Sequence, residues 1–480
     1  MSGHGTCNNS CMNYLIWKWP ILSVDERTRM PTCPYLWPNG QGDVAKFLEG
    51  EENGTKWGRQ HGRIYRIWSG MAPEIVLTDP VDIKAVFADS DKHSKATNNN
   101  SGWLMGELLG KCVGLIGGAE WQRVRGITAA RFSHKDAASY IPRIIEITEK
   151  HFQDLHRSGR LSEKRLHPVQ DLKFLPFWVV ADILYGKLTS EMVKELEDLI
   201  RLREALWDRM IQGGATRFSW TKYLPVKVNR NLHEFKRRWA TFNQTARDAC
   251  LLACEKTPVV EMYDAIEQGR LSTDELLQTL DEMIFANLDV TVGGISWNLL
   301  FLADNLEVQA QLREEVLSKA GSGGTQTVQY LLSSSTFLAA SILESARLRP
   351  LAPFSVAQSA PTTRCIAGFV VPPGTNFIVD TYRLNVKNAV WGDDREIYKP
   401  TRFLGQNRSD LRYHYWRFGF GPRQCIGKYV ADLIIRILLV HLLKHYRLSF
   451  DESTVWVKHP TTWITHPDTV IRCEKIGKET

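Results

Sequence analysis

With 480 residues, 43% hydrophobic and 24% charged, the chain has the composition of an ordinary globular protein and the length for a large enclosed core. A formal charge of +7 is mild and comes with no concentrated basic stripe, so no nucleic-acid partner is expected. The nine cysteines are scattered and odd in number, and Cys250 and Cys254 lack a second pair at zinc-finger spacing, which points to free thiols in a reducing, intracellular setting.

In chain order, residues 1–42 read as an irregular segment punctuated by Pro31, Pro34, Pro38, Gly40 and Gly42. The apolar stretch at 13–23 is broken by Lys18 and Pro20 and is shorter than the roughly 20 residues a span needs, so no clear transmembrane anchor is read here. Trp17 and Trp19 leave room for peripheral membrane contact. Residues 63–90 alternate as strands, and helical periodicity dominates from about 80 to 345. Within it, Trp121-Gln-Arg-Val-Arg125 follows Gly117-Gly118 and places Trp121 and Arg125 on one helix face. Ser272 and Glu275 form a capping box that opens a proline-free stretch to Asp304, which predicts one helix roughly 45 Å long. Residues 319–326 read as a flexible surface loop.

Glu344 and Arg347 share a helix face, which by itself predicts only a surface ion pair. Residues 355–380 read as short strands with a turn at Pro372-Pro373-Gly374, residues 381–424 as mostly irregular chain, and the last strands follow 446. The apolar run from Tyr429 to Leu443 carries Asp432, Arg436 and His441, so it predicts a core helix and not a span. No linker or repeat divides the chain, and a single domain over 43–480 follows the N-terminal segment.

The most informative stretch is Phe418-Gly-Phe-Gly421-Pro-Arg423-Gln-Cys425-Ile-Gly427, immediately before that core helix. A thiolate in such a place can ligate haem iron and push electron density toward O–O cleavage. Glycines permit the tight backbone path, and a helix N-terminus favours negative charge on sulfur. Arg423 can pair bidentately with a carboxylate, and Phe418 can cover the sulfur.

This stretch resembles the haem-binding loop of the cytochrome P-450 family, Phe-x-x-Gly-x-Arg-x-Cys-x-Gly, at every fixed position. The resemblance runs from about residue 35 to the C-terminus through some five motifs in family order. It implies a mainly α fold with a small β region (α+β), a single cytochrome P-450-like domain with a long central helix over haem. It also implies haem b as cofactor, iron ligated by Cys425, and Trp121, Arg125, Phe418, Arg423 and Gly427 as cofactor-binding residues. Lys399-Pro-Thr-Arg402-Phe403 completes, with Glu344 and Arg347, the family's buried charge network, so Glu344, Arg347 and Arg402 are expected to lock the cysteine loop.

Ala286-Asn-Leu-Asp289-Val290-Thr291 resembles the family's oxygen-activation segment and makes Asp289 and Thr291 the candidate catalytic residues. It departs from the pattern twice. Asn287 replaces a glycine and Val290 takes the usual threonine slot, which leaves proton delivery open among Thr291, Asn287, water and substrate. No Lys or Arg follows Arg349-Pro350 until Arg364, where the family often supplies a propionate partner, so Arg125 and Arg423 are expected to bear that task alone.

The resemblance therefore implies a haem-thiolate monooxygenase acting on a small apolar organic substrate and O2. Its electrons are expected from a separate NADPH-cytochrome P-450 reductase-type flavoprotein, because the chain carries no flavin or iron–sulfur motif. The expected pocket walls are residues 103–105, Trp207, Met210, Phe218, Trp220, Phe285, 351–356 and 462–464. Arg123, Arg131, Lys135, Arg412, Arg417 and Lys428 are expected at a basic docking face. The pattern looks like fungal secondary-metabolism members, with diketopiperazine (gliotoxin-like) pathways nearest, working as a monomer at the endoplasmic reticulum surface. Two other readings stay open. One is a reductase-independent isomerase or radical-coupling enzyme, motivated by Val290, and the other is a non-catalytic haem-binding sensor or carrier.

Overall fold

A computed structural model describes Ser10, Cys11, Asn13, Tyr14, Ile16 and residues 20–320, 324–407, 409–450 and 456–477. Trp17 and Trp19 lie outside the described residues. The five described residues before position 20 are helical, not irregular as the sequence reading had it.

The strand region begins with β1 (Ile64–Ser69) and β2 (Ala72–Leu77), an antiparallel hairpin turned by Gly70 at φ +59°. The alternating sequence of β1 predicts one wet face, yet every residue in it is buried. The cause is the preceding chain. Arg66 N–H donates to Pro31 O, Cys33 N–H donates to Arg66 O, and the Arg66 Nε donates to Thr32 Oγ1 at 3.1 Å. The short β3 (Ser94–Lys95) follows and becomes the far edge of the same sheet.

Helices then take over. α1 (Gly118–Thr128) carries Trp121 and Arg125. α2 (Thr273–Phe285) starts at the capping box, with Ser272 Oγ accepting from Glu275 N–H and Glu275 answering to the Ser272 amide. The single long helix predicted through Asp304 is interrupted. A 3-10 turn at Ala286–Leu288 and Asp289 at φ −119° separate α2 from α3 (Val290–Asp304). Asn287 supplies the reason, because its Nδ2 donates to Met283 O at 2.6 Å and competes for the helix's own ladder. Thr273–Asp304 is also the one described stretch long and apolar enough to cross a membrane, but 72% of its apolar window is buried within the fold, as befits a core helix.

α4 (Phe337–Leu348) presents Glu344 and Arg347. Gly324–Leu332 is helical, which corrects the loop expected over 319–326 for its described part. β4 (Gln358–Ser359) and β5 (Asn376–Val379) complete a sheet of order β1-β2-β5-β4-β3, in which β2 and β5 run parallel. The chain from 381 to 424 is mostly irregular, broken by short helical pieces at Arg383–Lys387, Ala389–Trp391, Pro400–Phe403 and Gly421–Arg423, and α5 (Lys428–His445) closes the core with its apolar side chains packed inward. Helices and sheet thus enclose a central space between α2/α3, α4 and the chain just before α5.

Candidate active site

That chain is a pinned loop. Gly419 and Gly421 have φ of +86° and +66°, and a Cβ on Gly421 would lie 2.5 Å from Phe87 O, so no other residue fits there. Cys425 N–H donates to Phe418 O at 2.9 Å, which ties the cysteine backbone back across the loop. The sulfur opens into a cavity of about 460 Å³, lined also by Phe418, Arg423 and Gly427. Burial, with a smaller push from the Glu282 carboxylate, raises the Cys425 thiol, while the Gly427 amide, Arg125 and Lys428 pull it down. These three are the groups that favour a thiolate.

Glu344, Arg347 and Arg402 stand behind the loop. Arg347 Nε and Nη2 donate to the two oxygens of Glu344 at 2.7 and 2.8 Å, with both side chains fully buried. Arg402 Nε adds a 3.3 Å bond to Glu344, and its Nη1 donates to Trp391 O at 2.6 Å. Arg347 Nη1 also reaches Asn385 O at 2.9 Å, and Asn385 exchanges two 2.7 Å hydrogen bonds with the Trp416 backbone. Trp416 packs edge-on against Phe420, 4.9 Å between ring centroids. A continuous chain of contacts therefore joins the charge network to the cysteine loop.

The facing wall is one stripe of α2 and α3. Glu282, Met283, Ala286, Asn287, Val290, Thr291, Gly294, Trp297 and Asn298 line the cavity at helical spacing. Thr291 Oγ1 donates to Asn287 Oδ1 at 2.8 Å. Asp289 is not among the described lining residues. Its Oδ2 accepts from Trp463 Nε1 at 3.0 Å and its carbonyl faces His466 Nε2 at 2.8 Å. Trp463 and Ile464 do line the cavity, as do Leu351, Ala352 and Val356. The other expected walls, residues 103–105, Trp207, Met210, Phe218, Trp220 and Phe285, pack elsewhere, and Trp220 is 63% exposed.

One end of the cavity is electropositive. Arg423 stacks on Trp121 at 4.7 Å and donates to His93 O at 3.2 Å and to Ile116 O. Arg125 lines the same end. Lys95, which sequence reasoning missed, joins them because β3 pairs with β4 and sets Lys95 opposite Gln358. Nothing local in the sequence marks a pairing across so many residues. Desolvation pulls Lys95 down to about 7 and Arg423 to about 10. Three cations here face one carboxylate, Glu282, and the Gln358 Oε1 beside them is buried without a partner. The end is two negative charges short of balance. Haem b, with two propionates to set against these cations and an iron to meet the Cys425 sulfur, fits this donor set.

Several of the expected docking cations are already paired: Arg123 with Glu275, Arg131 with Glu261, and Arg417 with Asp432 at 2.6 Å. Lys135 and Arg412 are exposed.

Residues 40–472 match the cytochrome P450 family. The chain is 55% identical to the cytochrome P450 monooxygenase aclC of Aspergillus oryzae, over 94% of its own length and 92% of the relative's. It is 39% identical to the cytochrome P450 monooxygenase gliC of Aspergillus fumigatus over 97% and 93% of the two chains. It is also 41% identical to roqR of Penicillium rubens over 86% and 80%.

Proposed function

Since the chain belongs to the cytochrome P450 family and is a haem-thiolate monooxygenase, we propose that it oxidises a small, mostly apolar organic substrate as a tailoring step in fungal secondary metabolism. The observation that carries this reading is the Cys425 sulfur opening into the same apolar cavity as the Glu282–Asn298 stripe. Cys425 would supply the thiolate ligand to the haem iron, and Lys95, Arg125 and Arg423 would hold the propionates, with Trp121 stacked against Arg423.

The bound haem supplies the oxidation chemistry, the reduction of O2 and the insertion of one oxygen atom into the substrate. The protein supplies position, protons and exclusion of water. Thr291 is the hydroxyl that hands on protons, and Asn287 fixes its rotamer. Val290 is apolar and contributes only a wall. Asp289 acts through Trp463, whose ring it holds against the cavity. Phe418 covers the sulfur side.

Electrons come from an NADPH-dependent flavoprotein of the P450-reductase type, docking near Lys135 and Arg412. The exposed Trp220, Tyr223, Leu224 and Val226 supply apolar surface for peripheral contact with a membrane such as the endoplasmic reticulum. The test is turnover with reductase, NADPH and labelled O2. The product should gain one labelled oxygen atom for each NADPH consumed, and omission of the reductase should stop the reaction. Turnover without reductase, or a product without label, contradicts the proposal and favours an isomerase or coupling enzyme.

A further inference from the structure

Glu282 is a carboxylate in a cavity wall that is otherwise mostly apolar. It stands on α2 four residues, just over one turn, before Ala286, so it lies about 6 Å up the helix on the same cavity-lining stripe as Asn287 and Thr291. Part of its role is local. Lys111, Val113 and Gly114 donate their amide N–H groups to Gln278 Oε1 at 2.6 Å, Thr279 Oγ1 at 3.2 Å and Glu282 Oε2 at 3.0 Å. Neutral acceptors suffice at the first two of these positions. A charged one, taken from water, is costly unless the charge does something more.

Charge balance shows what remains. Once two propionates meet Lys95, Arg125 and Arg423, a single positive charge is left over, and an ionised Glu282 cancels it. Burial raises the Glu282 carboxyl above its ordinary value, and the Cys112 thiol, the Gly114 amide, Lys95 and Arg125 pull it back toward the ionised form that the propionate balance calls for. Yet no Lys or Arg among the described residues comes within 4.0 Å of its oxygens. An ionised carboxylate is acceptor-only and takes about four hydrogen bonds. The Gly114 amide takes one, and the Cys112 thiol lies beside it as a weak second donor. Gly114 has no room to change, because a Cβ there would lie 1.8 Å from Glu282 Oε1. The carboxylate is thus held in place with acceptor capacity left toward the cavity. A substrate group that meets it must be a donor, and a neutral one, since an ammonium would restore the imbalance.

We propose that Glu282 is the hydrogen-bond acceptor that orients the substrate, and that the substrate is a neutral, mostly apolar molecule with an N–H or O–H donor. The proposal rests on the haem-thiolate reading above. Substrate held there presents the atoms about one helical turn from its donor to the Ala286–Asn287 level of the cavity.

The test uses matched probes on the haem-loaded protein: 2-phenylindole against 1-methyl-2-phenylindole, and 4-phenylphenol against its methyl ether. Affinity is read from the Soret shift of the oxidised protein on titration, without turnover. In at least one pair the donor should bind about tenfold or more tighter than its methylated partner. That gap should close in Glu282→Leu and narrow in Glu282→Gln. No gap in either pair, or a gap unchanged in Glu282→Leu, overturns the proposal. If Glu282→Leu does not retain haem, an unchanged gap in Glu282→Gln overturns it equally. Failure of the haem-thiolate reading itself would appear earlier, as the lack of a thiolate-haem spectrum before any probe is added.

Discussion

Thr291 Oγ1 donates to Asn287 Oδ1 at 2.8 Å, and Asn287 Nδ2 donates to Met283 O at 2.6 Å. The two departures of this segment from the family pattern are therefore coupled. The side chain that replaces glycine bends the helix and also fixes the hydroxyl that stands one residue beyond the usual slot. Thr291→Ala should lower product formed per NADPH by about tenfold or more while peroxide release rises, as expected for a lost proton-transfer group. Asn287→Ala should do the same to a smaller degree. Thr291→Ser should recover most of the coupling, and Val290→Thr should partly rescue Thr291→Ala. Unchanged coupling in Thr291→Ala would remove Thr291 from the proton path.

Asp289 gives a different expectation. Its bond to Trp463 Nε1 spans 174 residues of sequence and sets a cavity wall. Asp289→Ala strands a half-buried indole N–H, a cost of about 1–3 kcal/mol. Substrate affinity should fall, and Trp463→Phe should reproduce that fall. A loss of coupling in Asp289→Ala with affinity unchanged would instead place Asp289 in proton delivery.

The Glu344, Arg347 and Arg402 network predicts a stability effect and not a catalytic one. Removing Arg347 takes both short bonds from the buried Glu344 carboxylate and leaves it only the longer Arg402 bond and the Lys399 amide, at about 3–5 kcal/mol. Arg347→Ala should express poorly or retain little haem, with a lower thermal midpoint. Arg402→Ala, at an 11% exposed side chain with a longer bond to Glu344, should be milder.

Asp380 predicts a pH dependence. Burial raises its carboxyl to about 7 from 3.8, against the pull of the Arg383 amide and guanidinium. A carboxyl raised on folding binds its proton more tightly in the folded state. Its contribution is full below the unfolded value and is lost as pH rises through about 7. Asp380→Asn keeps an acceptor for the Arg383 amide and cannot ionise. Its thermal midpoint relative to wild type should rise between pH 4 and 8, by at most about 4 kcal/mol in equivalent free energy. Parallel midpoints across that range would contradict the assignment.

The features legible in the sequence are those written in contiguous residues. The cysteine loop, the Trp121/Arg125 face and the capping box at Ser272 each need only local spacing. Glu282 was also within reach, since it lies just over one turn before Ala286 on a stripe whose period the sequence displays. Lys95 was not, because it enters the cavity only through strand pairing with Gln358. The break between α2 and α3 escaped for a related reason. Helical periodicity runs straight through it, and only the Asn287 amide, bonding back to Met283 O, shows why the helix yields there. The burial of Arg66 is not legible either, because a strand's own alternation says nothing about a neighbouring segment that covers its second face.

The central claim is that the sulfur at position 425 ligates the haem iron, and the reduced, carbon monoxide-bound absorption spectrum tests it most directly. Wild type should give the Soret band of a thiolate-ligated ferrous carbonyl, and Cys425→His should move it to the position of an imidazole-ligated one. A wild-type band already at the imidazole position, or a thiolate band that persists in Cys425→His, would contradict the account.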